Sequence, residues 1–311
     1  MRCHYVPQFY LRNFAIHSKP KHVYAYRRKY DPFETKISTV AAKNDLYIFK
    51  DKNTGKKNDE IEKMFAWIES SSAPIINRII SQDSFSISSL SNQEQIVLAN
   101  FIAFLHTRNL SFREQQKNLY SAGIKINLKI KAEDEKVFKQ DIKDAQIKIE
   151  SDKEIEDLRQ SILDFDKHFK IGYDKSSNDF FLKQSLLLSL KLSPIIFNKE
   201  WHLLESDSGR VFITSDNPVS LIRPENLPPF YGVGFINGHI AVPLSPYKCL
   251  LLKNGKDGAE KLKIDRNTVN FFNRHVMFFA HKFVYSSLLS KDTQDDFNKT
   301  KEGASEQVII N

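Results

Sequence analysis

In this 311-residue chain the residue types able to do chemistry gather in a few places. The opening dozen residues set His4, Gln8 and Arg12 among the aromatics Tyr5, Phe9, Tyr10 and Phe14. A histidine titrates near neutral pH and can act as a general base or a metal ligand. Far downstream, the apolar Phe212 and Ile213 run into Thr214, Ser215, Asp216 and Asn217 before Pro218. A strand ending in hydroxyls, a carboxylate and an amide presents polar groups from a rigid element. Arg108, just past an apolar helical run, carries the charge to clamp an anion, and Asn270 offers a further amide. Together they suggest one site. His4 and Asp216 would take catalytic or metal-binding roles, Arg108 would sit on a phosphate, and Gln8, Asn217 and Asn270 would orient a substrate. Each also has a plainer role: His4 as a satisfied or surface histidine, Asp216 and Asn217 as an Asx turn before Pro218, and Arg108 as a helix C-terminal cap.

Elements must bring these residues together. First residues of a domain are usually frayed and polar; these are aromatic, so the opening is expected to fold inward against the strand end at 214–219, with Pro7, Leu11 and Phe14 as anchors. Alternating apolar and polar residues predict strands over 21–28, 33–40 and 45–49. A one-sided apolar stripe predicts a helix capped by Asn58 and kinked or split at Pro74. Ser91 and Glu94 have the spacing of a capping box before a buried helix ending near His106 and Arg108. Residues 178–197 read as another buried helix, interrupted at Pro194. Strands are predicted at 201–204, 210–214, 232–236, 239–243 and 248–252, with Asn237-Gly238 as a hairpin turn. A helix over 265–280 and a closing strand at 283–286 precede a loose polar tail, 291–311.

The fold class that follows is α+β. One large domain over 1–290 would combine an N-terminal β-rich basic layer, a helical middle and a C-terminal antiparallel sheet. Residues 125–160 form a charged helical insertion whose isolated residues, such as Ile142, Ile155 and Leu158, are too sparse for a core. The first 57 residues hold thirteen Lys or Arg against four acids. The whole chain carries +8, so the positive charge is concentrated there. Such a region attracts phosphates; it also serves as an ordinary solubilising surface.

Cys3 and Cys249 are too few for a disulfide framework, which suits a reducing cytoplasm. No apolar stretch reads as long enough to span a membrane, and the start lacks a signal peptide's apolar run. Phosphate-loop, dinucleotide, His-Glu-x-x-His, Cys-x-x-Cys and nucleophile-elbow signatures are missing. Cys3 and His4, adjacent on an extended segment, point to opposite sides, which disfavours a cysteine nucleophile.

The opening block from His4 to Phe14, the block from Thr214 to Val219 and the later Pro243-Leu244-Ser245-Pro246 resemble, in order, three hallmark blocks of the DUF4238 family. Glu62 and Glu69, Arg108, Trp201 and Asn270 support the resemblance, which spreads from about residue 3 to about residue 286. It implies a bacterial cytoplasmic protein and carries over no catalytic residues, since that family is a domain of unknown function. The residues themselves favour a phosphate-directed enzyme, a nuclease or related hydrolase acting on nucleic acid; a role in phage defence or toxicity would suit a stand-alone protein of this kind. Nucleic acid would approach through the basic N-terminal region, and a divalent metal such as Mg²⁺ or Mn²⁺ is the cofactor such chemistry would use. No membrane partner is expected, and nothing points to an oligomeric state. The alternative is a non-catalytic nucleic-acid, nucleotide or protein-interaction module in which His4, Arg108 and Asp216 form a buried polar network.

Overall fold

The computed structural model describes residues 2–47, 49–50, 57–149, 151–173, 177–206, 209–255 and 261–300. The chain divides into two compact units, Met1–Phe112 with Leu182–Asn311, and Arg113–Phe181. The first opens with β1 (Arg2–His4), α1 (Gln8–Arg12), β2 (His22–Arg27), β3 (Phe33–Lys36), β4 (Ala42–Asn44), β5 (Phe49–Lys50) and β6 (Lys57–Asn58). Helices α2 (Glu60–Ser81), α3 (Asn92–Thr107) and α4 (Leu110–Glu133) follow, then α5 (Glu135–Asp144), α6 (Asp152–Leu163), α7 (Phe165–His168) and α8 (Ser177–Phe197). The remainder is β7 (Glu200–Ser206), β8 (Thr214–Ser215), β9 (Ser220–Ile222), β10 (His239–Pro243), β11 (Lys248–Lys253), β12 (Lys261–Ile264), α9 (Arg266–Phe279), β13 (Phe283–Ser286) and α10 (Lys291–Lys299).

The architecture is α+β. A five-stranded sheet runs β12-β7-β11-β10-β9, and a four-stranded sheet runs β3-β2-β13-β8. The larger sheet is mixed, because β12 pairs parallel with β7. The basic opening does not make a layer of its own. β1 pairs with β4, while β2 and β3 join β13 and β8 from the far end of the chain.

The largest core lies in this unit. It joins Tyr10, Leu11 and Phe14 to Phe65 and Ile76 of α2, Phe101 of α3, Ile196 of α8, and Leu203, Val242 and Leu250 of the sheet. The opening block is thus folded inward: Tyr10, Leu11 and Phe14 have no exposed surface. The rings of Phe9 and Tyr10 meet Phe101 at 5.5 and 6.3 Å. Burying side chains of this size stabilises by about 2 kcal/mol each, enough to overcome terminal fraying.

Several local expectations hold. Ser91 and Glu94 form the reciprocal capping box at the start of α3. β10 and β13 occupy the predicted residues. Others are corrected. Helix α8 is not interrupted at Pro194, and α2 is not split at Pro74; in α2 the buried Ile68, Ile75 and Ile76 flank the proline, so packing offsets one lost backbone bond. Asn58 lies in β6, and Asp59 is the residue that precedes α2. The strand expected over 33–40 stops at Lys36, where a 3₁₀ turn follows, and 45–47 form a turn. Residues 210–213 are not a strand because the amide of Asn273 takes their bonds, donating to Val211 O and accepting from Ile213 N.

Residues 232–236 are not a strand either. Asn237 closes that loop on itself, accepting from Gly234 N and donating to Gly232 O. Gly238 is needed there, since a Cβ would lie 2.6 Å from Val233 Cγ1 and 2.8 Å from Gly234 O. The tail is not loose as far as residue 300. α10 docks with Phe297 fully buried and the Arg28 guanidinium 4.2 Å over its ring. The remainder of the predicted tail, 301–311, lies outside the described residues.

In the second unit the sparse apolar residues converge after all. Phe138, Ile142, Ala132 and Ile162 form a small core, with Ile155 and Leu158 packed against it. One helical stretch among the described residues, Asp179–Phe197, is long and apolar enough by length and composition to cross a membrane, with a mean hydropathy of 1.4. It is longer and more apolar than the sequence reading allowed.

Candidate functional site

The three motif blocks meet. The phenol of Tyr10, on α1, donates to Pro243 O at 2.5 Å and shares a hydrogen bond with Thr214 Oγ1 at 3.0 Å. A single hydroxyl therefore ties the opening block to both downstream blocks, separated from it by 204 and 233 positions. Burial drives its pKa far above the ordinary phenol value, which keeps the proton in place.

Asp216 and Asn217 use their polar groups to clasp the connection between α9 and β13. Asp216 Oδ1 accepts from His281 N at 2.8 Å, and Oδ2 accepts from Lys282 N at 2.8 Å and Phe283 N at 3.0 Å. Asn217 donates to Phe279 O at 2.9 Å, satisfying a carbonyl that the end of α9 leaves open. Its Oδ1 accepts from Asn109 Nδ2 at 2.7 Å. Both residues are almost fully buried, at 1% and 2% exposure. Burial pushes the Asp216 carboxyl up, against three backbone amides that favour its ionised form.

His4 and Arg108 belong to a second network. Arg108 caps the C-terminus of α3, as the plainer reading has it. Its Nε donates to Tyr5 O at 3.1 Å and its Nη1 to Glu69 Oε1 at 2.8 Å, with its guanidinium 5.1 Å over the Phe65 ring. Only 4% of its side chain is exposed, and Nη2 is buried without a hydrogen-bond partner. His4, on β1, is half-buried. Burial lowers its pKa; a hydrogen bond with the Ser38 backbone opposes this, and its charged neighbours are Arg2, Glu69 and Arg108. Its Nε2 is buried and unpartnered, as is Glu62 Oε2 in the first turn of α2. Burial raises the Glu62 pKa, against the Arg108 charge and a hydrogen bond from the Cys3 thiol.

The structure thus brings His4 together with Arg108 and Asp216 together with Asn217. The two pairs have separate partners and touch at Tyr5. The Tyr5 carbonyl holds Arg108, while burial and then the Asp216 charge push its phenol upward. Gln8 is half-buried at the first residue of α1. Asn270, on α9, accepts from Arg210 Nε at 2.8 Å and belongs to neither group. Sequence reasoning missed Tyr10, Asn109 and Asn273 as organising residues; Asn109 is next to Arg108, but an asparagine one position past a helix carries no distinctive signal. Glu62 stood in the sequence as a supporting residue, and its place in the first turn of α2 was the available clue.

A cleft of about 930 Å³ lined by Lys29, Tyr30, Leu289, Gln294 and neighbours contains none of the six candidate residues. Among the described residues no group of three or more His, Cys, Asp or Glu side chains is arranged to hold a metal ion. Both thiols are buried, and burial raises the pKa of each, which makes them poor nucleophiles.

Fold and site define an α+β protein in which an N-terminal block is locked into strands from the C-terminal half by buried hydrogen bonds. Residues 2–288 match the model of a family described as protein of unknown function, DUF4238, and the chain belongs to that family. No curated protein and no solved structure matches it.

Proposed function

We propose that this protein is a binding module for the phosphate backbone of nucleic acid, acting through the exposed cations of its opening residues and without a His4–Asp216 catalytic pair. The supporting observation is the state of Asp216. A carboxylate with 1% exposure that already accepts three backbone amides keeps at most one of its roughly four lone-pair sites, and that one is buried away from any substrate. Arg2, Arg12, Lys19, Lys21, Arg27, Lys29, Lys36 and Lys43 are all exposed, whereas Arg28 is buried against Met277 O and Phe297. The cations at 50–57 have no described side chains. A bacterial cytoplasmic setting, in phage defence or toxicity, suits such a protein, and two buried thiols suit a reducing compartment.

A hydrolase reading is favoured by one observation, the unpartnered atoms of His4, Glu62 and Arg108. It would put acid–base chemistry on His4 and Glu62, with Arg108 on the phosphate. A Mg²⁺ or Mn²⁺ ion would be held largely by substrate phosphates, as such ions commonly are. The test is to measure binding and cleavage of DNA and RNA, with Mg²⁺ or Mn²⁺, by the wild type and by Arg2→Glu/Lys43→Glu, His4→Ala and Glu62→Gln variants. The module predicts binding without cleavage and weaker binding only in the charge-reversed protein. Cleavage abolished by His4→Ala or Glu62→Gln would replace the module with the hydrolase.

A further inference from the structure

Three buried polar atoms on three elements lack partners in one small region: His4 Nε2 on β1, Glu62 Oε2 on α2 and Nη2 of Arg108 at the end of α3. Leaving such atoms unpaired is unfavourable, most of all for charged groups. Their neighbours do not relieve them. The other two guanidinium nitrogens of Arg108 are fixed by Tyr5 O and Glu69, so Nη2 is held in one direction. Glu62 lies in the first turn of a 22-residue helix and feels the Arg108 charge.

We propose that His4, Glu62 and Arg108 form a receptor for a single phosphate group, either inorganic phosphate or the terminal phosphate of a mononucleotide. Arg108 Nη2 and His4 Nε2 each donate to a phosphate oxygen. Glu62 Oε2, as a carboxylate, accepts from the P–OH of the phosphate monoanion. No bond to phosphorus is made or broken. The proton is required: with Glu62 and Glu69 both ionised, Arg108 alone would not offset a dianion. Burial raises the Glu62 pKa, which makes its carboxylate a stronger acceptor for that proton. The second ionisation of a phosphate monoester lies near pH 6 and that of inorganic phosphate about one unit higher, so uptake weakens as the pH rises above each. The titratable and charged groups facing the site are Arg2, Cys3 and His4 from β1, Glu62 and Glu69 from α2, and Arg108.

This site goes beyond the surface binding proposed above and is tested separately from it, by titration calorimetry with inorganic phosphate, with adenosine 5′-monophosphate and with sulfate, which has no proton to share near neutral pH. Phosphate and nucleotide are expected to bind the wild type, and sulfate at least about tenfold more weakly, the size of one lost charged hydrogen bond. Affinity is expected to fall about tenfold per pH unit above the controlling pKa. Glu62→Gln, whose amide donates permanently, is expected to flatten that fall. His4→Ala is expected to weaken binding about tenfold; it leaves the Arg108–Tyr5 anchor in place, and its folding is checked by circular dichroism. Absence of phosphate binding by the wild type, binding of the nucleotide alone, equal sulfate affinity, or a pH profile unchanged in Glu62→Gln would each overturn the proposal. Phosphate uptake that survives Lys21→Glu/Lys36→Glu, which reverses two exposed cations outside the site, while nucleic-acid binding is lost separates the two functions.

Discussion

Asp216 and Tyr10 look like catalytic side chains by type, and their surroundings give them a different task. Three backbone amides converge on one carboxylate, and two distant chain segments converge on one phenol. Asp216→Ala leaves those part-buried amides without their acceptor, and the expected loss is about 3 kcal/mol of folding stability. Urea denaturation measures it; a loss under 1 kcal/mol would show that water replaces the carboxylate. His106 supplies a pH test. It is half-buried between Phe112 and Phe235, and burial pushes its pKa down to about 4. The unfolded chain therefore binds the proton first on acidification. The stability from neutral His106 is whole above about pH 6.5 and drains as the pH falls toward 4, by about 3 kcal/mol at 1.4 kcal/mol per pH unit. His106→Phe is expected to lose that part of the pH dependence. Equal slopes in both proteins between pH 6.5 and 4 would contradict it.

At the scale of elements, side chains replace backbone ladders where strands were expected. Asn273 holds 211–213 and Asn237 holds 232–234, so the chain there is pinned without pairing. The capping box of α3 and the apolar stripe of α2 were legible because both are local, depending on residues three or four apart. The two prolines were misleading for the same reason: their local penalty is visible in sequence and the packing that offsets it is not. Helix α10 was hidden among polar residues because its one large anchor, Phe297, finds its partner Arg28 at the other end of the chain. Phe297→Ala is expected to destabilise by about 3–5 kcal/mol, the usual cost of deleting a buried ring. A thermal midpoint within a degree or two of the wild type would mean that α10 contributes nothing to the fold.

For the whole molecule, charge is the property with the longest reach. If the exposed opening cations hold nucleic acid, affinity falls linearly on a log–log plot as salt rises, with a slope near 0.9 per phosphate contacted on duplex DNA. Removing Arg2 and Lys43 is expected to reduce that slope by about 2. An unchanged slope would move the contact elsewhere. The sequence by itself determined the α+β class, the concentrated charge, the family and the meeting of the opening block with the strand end at 214–219, because each rests on composition, periodicity or an ordered set of motifs. Only the tertiary structure decided what His4, Arg108 and Asp216 do. Residue type sets which hydrogen bonds a side chain can make; the fold decides which are already used. Asp216 has spent its acceptors on the backbone, whereas His4, Glu62 and Arg108 each keep one buried polar atom without a partner.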